Sequence, residues 1–133
     1  YEFFGRPEWQ SIARLYGLAF SERVQMDSTF MYQAVAEGDV DVISAFTSDG
    51  RIAAFDLTVL EDPKTAIPPY DAILLLSESA AQRPDVVDAL RPLVGAIDVQ
   101  SMREANLQAD RSEDKQTPEQ AAAWLGERVE SFD

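Results

Sequence analysis

From Pro7 to Tyr16 apolar side chains recur at the i, i+3, i+4, i+7 spacing: Trp9, Ile12, Ala13 and Tyr16 share one face of a predicted helix. Pro7 suits its first turn and Gly17 the position just past its end. A short stretch, Arg23 to Met26, leads to Asp27-Ser28-Thr29, any of which can cap a second helix. Phe30, Met31, Ala34 and Val35 give that helix an apolar stripe, and Gly38 stops it.

The period then changes. Val40 to Phe46 is short and rich in β-branched residues, as a buried strand should be, and Thr47-Ser48-Asp49-Gly50 after it is turn chemistry. Ile52 to Phe55 and Leu57 to Leu60 read as two further extended pieces, broken by Glu61-Asp62-Pro63-Lys64. Pro68-Pro69-Tyr70-Asp71 is rigid and extended because each proline restricts the residue before it. Ala72 to Leu76 is continuously apolar and reads as a buried strand.

The second half is helical. Pro84 opens a segment with Val86, Val87, Leu90, Leu93 and Val94 inward, which Pro92 should kink or divide and Gly95 close. Asp98 can cap a helix carrying Val99, Met102 and Ala105 on one side. Asp110 to Gln116 is a charged loop. Thr117-Pro118-Glu119-Gln120 is a capping box with proline at the first helical position, and Ala121, Trp124, Leu125 and Val129 then face a core. No internal repeat interrupts the pattern. Helices alternating with short buried strands imply an α/β fold with a largely parallel sheet flanked by helices. In such sheets ligands sit beyond the carboxyl ends of strands, which directs attention to Phe46-Thr47-Ser48-Asp49. Tyr70-Asp71 precedes a strand instead and suits a hinge crossing.

Composition narrows the chemistry. The 133 residues suit one ordinary domain, and 46% apolar content is enough for a core. No apolar run is long enough to span a membrane. No basic, apolar leader opens the chain, which begins in mid-pattern and reads as the middle of something longer. A net charge of −13, from 24 acids against 11 bases, argues against nucleic acid and anionic lipid as partners. The chain has no Cys and no His, so Ser-His and Cys-His nucleophiles, thiol redox chemistry and almost all zinc sites are excluded. Glu61-Asp62, and Asp110 with Glu113-Asp114, read as neighbouring solvated acids with no acid–base division of labour, and no calcium loop has its alternating acids. No metal, cofactor or catalytic group is expected.

Several segments, in order, carry a resemblance. Glu2-Phe3-Phe4-Gly5-Arg6-Pro7 is similar to the EF-x-x-R-P segment of glycine betaine/choline/carnitine-binding proteins, where Asp-Gly-Trp usually follows; here Glu8-Trp9 is one residue shorter. Tyr16-Gly17-Leu18, Met26 through Ala34, and Glu37-Gly38-Asp39-Val40-Asp41-Val42 resemble the next landmarks. Phe46-Thr47-Ser48-Asp49-Gly50-Arg51-Ile52 resembles the family's Y-S-T-D-x-x-I. Leu57 through Asp62 and Pro68-Pro69-Tyr70-Asp71 resemble its D-L-x-x-L-E-D and P-x-Y-D segments, so the likeness runs from Glu2 to about Asn106.

The resemblance implies a fragment of a clamshell of the type II periplasmic-binding-protein kind. Residues 1–56 would form most of the second lobe. Residues 57–133 would form the hinge return and C-terminal helices of the first lobe, whose N-terminal part is absent. It implies an extracytoplasmic binding component of an ABC importer, working with a permease on a small quaternary-ammonium ligand. Self-association of an isolated piece, through surface its missing half would cover, is a further expectation. A quaternary ammonium has no proton to donate, so ring faces attract it, each contributing about 0.5–2 kcal/mol, while a carboxylate is met by an Arg fork.

By that resemblance Arg6 is the carboxylate partner. Phe46 stands where the family usually has a cage tyrosine, keeping the ring and losing the hydroxyl. Thr47 can hydrogen-bond a ligand, and Tyr70 matches the hinge tyrosine as a cage wall. Each has a plainer reading: Arg6 as a surface charge, Phe46 as a core side chain, Thr47 as turn filler. Asp49 is read as a cap, and Trp9, Tyr16, Tyr32 and Trp124 as packing. Two alternatives stay open: a ligand-sensing domain of a transcription regulator with the same clamshell architecture, and an importer component for another amino-acid derivative, a betaine-like thione included.

Overall fold

A computed structural model describes residues 3–130 of the chain; Glu2, which opens the first matching segment, lies outside them. A 3-10 turn at Phe3–Gly5 precedes helices α1 (Pro7–Tyr16), α2 (Ser28–Glu37), α3 (Gly50–Ala54), α4 (Glu78–Ala81) and α5 (Pro84–Leu90). A second 3-10 turn, Arg91–Leu93, leads to α6 (Val99–Asp110) and α7 (Pro118–Glu130).

The helix ends follow local chemistry. Pro7 opens α1, and Gly17 closes it at φ 65°, a left-handed conformation that glycine adopts without steric cost. Asp27 caps α2 by accepting the Thr29 N–H at 2.8 Å. Asp98 caps α6 through the Ser101 N–H at 2.8 Å. Thr117 and Gln120 make the reciprocal capping box: the Thr117 N–H reaches Gln120 Oε1 at 2.9 Å and the Gln120 N–H reaches Thr117 Oγ1 at 3.3 Å. Pro92 divides its segment as expected, since α5 ends at Leu90 and only a 3-10 turn follows.

The expected parallel sheet is absent among the described residues, and the α/β assignment is corrected to an all-helical one. A strand exists only when a neighbouring backbone accepts and donates its ladder hydrogen bonds. Residues 40–46, 57–60 and 72–76 run without helix and without such a neighbour among the described residues. They are also far from buried: Val42 is half exposed, and Leu60, Ile73 and Leu75 are mostly exposed. Ile52 to Phe55, expected to be extended, instead lies in α3 and its C-cap, because Asp49 caps the turn that starts there. On α2 the stripe is rotated: Tyr32 is the buried residue, and Phe30 points to solvent. Leu93 and Val94, expected inward, are exposed.

The chain divides into two compact units, each made of two stretches. The first comprises Tyr1–Ala45 with Leu57–Asp71. Its interior centres on Trp9, Tyr32 and Ala66. The Trp9 ring stacks on Phe20 at 5.3 Å and meets Phe4 edge-on at 5.1 Å, while the Arg23 guanidinium lies 5.2 Å from it. Truncating such a buried indole costs about 3–5 kcal/mol. The second unit comprises Phe46–Asp56 with Ala72–Asp133, and in it α6 packs against both α3 and α7. Gly50, Ile52, Ala105, Gln108 and Ala121 are buried in it, among the described residues.

Candidate functional site

In the first unit Pro7 does two jobs. It starts α1, and it holds Arg6 extended at φ −86°, ψ 152°, just outside the helix. The Arg6 side chain thereby lies beside the first turn. Its Nη2 donates to Glu8 Oε1 at 3.1 Å and to the Tyr70 hydroxyl at 3.2 Å. The Tyr70 hydroxyl in turn donates to Glu8 Oε1 at 3.3 Å, closing a triangle. Tyr70 comes from 64 residues further along the chain, at the end of the rigid Pro68-Pro69 segment. Its ring remains mostly exposed, 61% accessible. Arg6 and Tyr70, singled out separately in the sequence, are thus brought together.

The third member, Glu8, was not singled out. A backbone N–H of the first helical turn holds its carboxyl below the usual carboxylate value, and Arg6 and Tyr70 act in the same direction against the opposing effect of partial burial. The ion pair with Arg6 has side-chain exposures of 39% and 16% for Arg6 and Glu8. Glu8 Oε2 is shielded from solvent and has no hydrogen-bond partner among the described residues. The sequence signal was available: an acid two positions after Arg6, within a helix's first turn.

A second device supports the segment that carries Tyr70. Tyr16, expected only to pack, donates its hydroxyl to Asp62 Oδ1. The Lys64 N–H donates to the same hydroxyl at 2.9 Å, and Lys64 Nζ donates to the Leu15 carbonyl at 2.6 Å. Asp62 also accepts the N–H groups of Ala66 at 3.0 Å and Ile67 at 2.8 Å. Asp62, expected to be a solvated acid, is therefore the anchor that fixes residues 62–67 onto the end of α1. The Asp-Pro-Lys-Thr turn chemistry was the available signal.

In the second unit Phe46 and Thr47 lead into the turn before α3. Phe46 is 61% exposed, so the core reading of its ring does not hold. The Thr47 carbonyl accepts Arg103 Nε at 2.9 Å and the Ser48 carbonyl accepts Asn106 Nδ2 at 2.8 Å, so α6 clamps this turn. Asp49 caps α3 through the Arg51 N–H at 3.0 Å and pairs with the Arg51 guanidinium at 2.7 Å, in agreement with its capping role. Phe46 and Thr47 thus belong to one unit, and Arg6 and Tyr70 to the other.

Elsewhere in the second unit a concavity of about 650 Å³ is lined by Asp98, Ser101, Glu104, Gln108, Trp124 and Arg128, and holds none of the expected site residues. The Arg128 guanidinium covers the Trp124 ring at 4.3 Å. No cluster of metal-ligating side chains occurs among the described residues, and no helix among them is long and apolar enough to cross a membrane.

Comparison with known proteins bears on this geometry. Residues 1–127 match OpuAC, the substrate binding domain of ABC-type glycine betaine transport system. A glycine-betaine-binding protein of Pseudomonas aeruginosa is 33% identical over 126 residues, covering 92% of this chain and 40% of that protein. The carnitine transport binding protein OpuCC of Listeria monocytogenes is 28% identical over 103 residues, covering 77% of this chain and 33% of that protein. The ergothioneine transport permease/ergothioneine binding protein EgtU of Helicobacter pylori is 27% identical over 112 residues, covering 83% of this chain and 20% of that protein. The chain therefore spans between a fifth and two fifths of the length of these relatives.

Proposed function

The chain belongs to the OpuAC family of substrate-binding domains of ABC-type glycine betaine transport systems, and from that membership we propose that it is part of the solute-binding component of an ABC importer, capturing a quaternary-ammonium osmoprotectant of the glycine betaine, choline or carnitine class. The family is one of substrate binding for transport, not of catalysis. The reading places the protein outside the cytoplasm, delivering its ligand to a permease.

The observation that carries the reading is the Arg6–Tyr70 contact at 3.2 Å. An exposed aromatic ring beside a guanidinium supplies the two recognition elements that a betaine requires: a π face for the ammonium and N–H groups for the carboxylate. Phe46 offers another accessible ring and Thr47 a hydroxyl, and both are retained as ligand contacts. A ring contributes about 0.5–2 kcal/mol, so micromolar binding needs several such groups already in place before the ligand arrives.

Isothermal calorimetry on the full-length protein against glycine betaine, choline and carnitine tests this. Saturable binding of at least one is expected, with Arg6→Ala weakening the carboxylate-bearing ligands by about tenfold or more. Binding of a plain amino acid with none of the three would overturn the assignment. A betaine-like thione is a second cargo worth the same titration, because one relative is named for ergothioneine.

A further inference from the structure

We propose that Asp62 and Tyr16 are positioning residues for ligand binding: their hydrogen bond at one end of α1 sets where the Tyr70 ring stands at the other. The inference rests on the ligand-binding reading of Tyr70. Neither Asp62 nor Tyr16 has to touch the ligand.

Residues 62–70 run back along α1 and hold it at both ends. At the C-terminal end the Tyr16 hydroxyl donates to Asp62 Oδ1, the Lys64 N–H donates to that hydroxyl, and Lys64 Nζ donates to the Leu15 carbonyl. At the N-terminal end the Tyr70 hydroxyl meets Arg6 and Glu8. Glu8 and Tyr16 stand about 12 Å apart along the helix, from its rise per residue.

The segment between the two holds is stiff. Asp62 accepts the Ala66 N–H at 3.0 Å and the Ile67 N–H at 2.8 Å, and Ala66 is buried. Pro68 and Pro69 follow directly; each fixes its own φ and keeps the residue before it extended. A displacement at Asp62 is therefore carried to Tyr70 and not absorbed on the way. The turn that begins at Asp62 is also strained. Thr65 is β-branched yet sits at φ 48°, a conformation that such a residue keeps only where its surroundings enforce it. The Asp62 carbonyl accepts the Thr65 N–H at 3.0 Å and its carboxylate accepts the next two N–H groups, so Asp62 supplies that enforcement.

The Tyr70 ring is mostly exposed, so no enclosing core fixes it. Its placement before a ligand arrives depends on the segment that carries it. Affinity falls in proportion to the fraction of molecules whose ring is in place, and loosening the Asp62 end lowers that fraction.

The test is a double-mutant cycle in the full-length protein, read by calorimetry with glycine betaine, choline and carnitine well below the melting temperature of each variant. Asp62→Asn turns one acceptor oxygen into a donor facing backbone N–H groups, and Tyr16→Phe removes the hydroxyl while keeping the ring. Each should weaken the ligands that the wild type binds by about three- to tenfold. Because both act through Tyr70, neither should weaken binding by more than about a further twofold once Tyr70→Ala is in place. Losses that multiply across the cycle overturn the proposal. So does an unchanged affinity in either single variant while Tyr70→Ala binds weakly, whatever happens to the melting temperature; the site reading then stands. A wild type that binds none of the three, or a Tyr70→Ala that binds as the wild type does, overturns the site reading as well. Should Asp62→Asn not fold, as judged by circular dichroism, the Tyr16→Phe arm of the cycle decides alone.

Discussion

Gly50 lies so close to Leu107 that a Cβ built on it would stand 2.4 Å from the Leu107 amide nitrogen and 2.7 Å from its Cα. These are backbone atoms in the C-terminal half of α6, and they cannot rotate aside as the end of a side chain can. Gly50 opens α3, so this approach lets α3 seat on α6 and lets Arg103 and Asn106 reach the turn that carries Phe46 and Thr47. Gly50→Ala should destabilise the second unit by about 1–3 kcal/mol or more, as overpacking does, and a thermal melt followed by circular dichroism reads the loss. A melting temperature equal to wild type would show that α3 and α6 can part without cost.

The Tyr16–Asp62 hydrogen bond predicts a two-sided pH dependence. Asp62 is held below its ordinary value, first by Tyr16 and then by the Ala66 and Ile67 N–H groups. Its contribution is present above the unfolded carboxyl value, near pH 4, and is lost as pH falls through the lower folded value. Tyr16 is pushed above its ordinary value, chiefly by burial and then by Asp62. Its contribution is therefore present below about pH 10 and is lost as pH rises through the higher folded value. Melting temperatures measured across pH should fall at both ends, and Asp62→Asn should flatten the acid limb.

Tyr70 separates ring from hydroxyl. In the full-length protein Tyr70→Ala should weaken binding of a quaternary ammonium by about 5- to 30-fold, the equivalent of one cation–π contact. Tyr70→Phe keeps the π face and should stay within about threefold. Equal losses in the two variants would assign the effect to the hydroxyl's bond with Glu8 and not to the ring.

Residues 72–76 predict self-association of the isolated chain. Leu75 is 85% exposed in a continuous apolar stretch with no ladder partner among the described residues. Unpaired apolar backbone of this kind is a template for pairing between molecules. Sedimentation velocity should show concentration-dependent association, reduced by Leu75→Lys, whose charge opposes stacking of copies. A single monomeric species at high concentration in the wild type would refute the prediction.

The candidate site was half legible. Arg6 and Tyr70 were marked by short segments resembling a family, and the fold places them in contact. For Glu8 the acid two positions from Arg6 signals a local ion pair, but not the third partner 62 residues further on. Asp62 reads as solvated in the sequence: its turn chemistry is legible locally, but the Tyr16 hydroxyl joins the Ala66 and Ile67 N–H groups on its carboxylate only when the chain has folded back on α1.

Local chemistry in the sequence set the start of α1, α2, α6 and α7, the end of α1, and the division after α5. Asp27, Asp98, Thr117 with Gln120, Pro7, Gly17 and Pro92 act on backbone groups within about five residues of themselves, so their effect can be read without knowing anything distant. The rest depended on contacts between residues far apart in the chain. Whether Val40 to Phe46 or Ala72 to Leu76 becomes a strand depends on a second backbone alongside, at any separation in sequence, and here none of the described residues provides it. That α3 can seat against α6 depends on Gly50, whose missing side chain leaves room for the Leu107 backbone. The hydroxyl, guanidinium and carboxylate of Tyr70, Arg6 and Glu8 form one hydrogen-bonded cluster because a rigid proline segment, anchored through Asp62, returns to the start of α1.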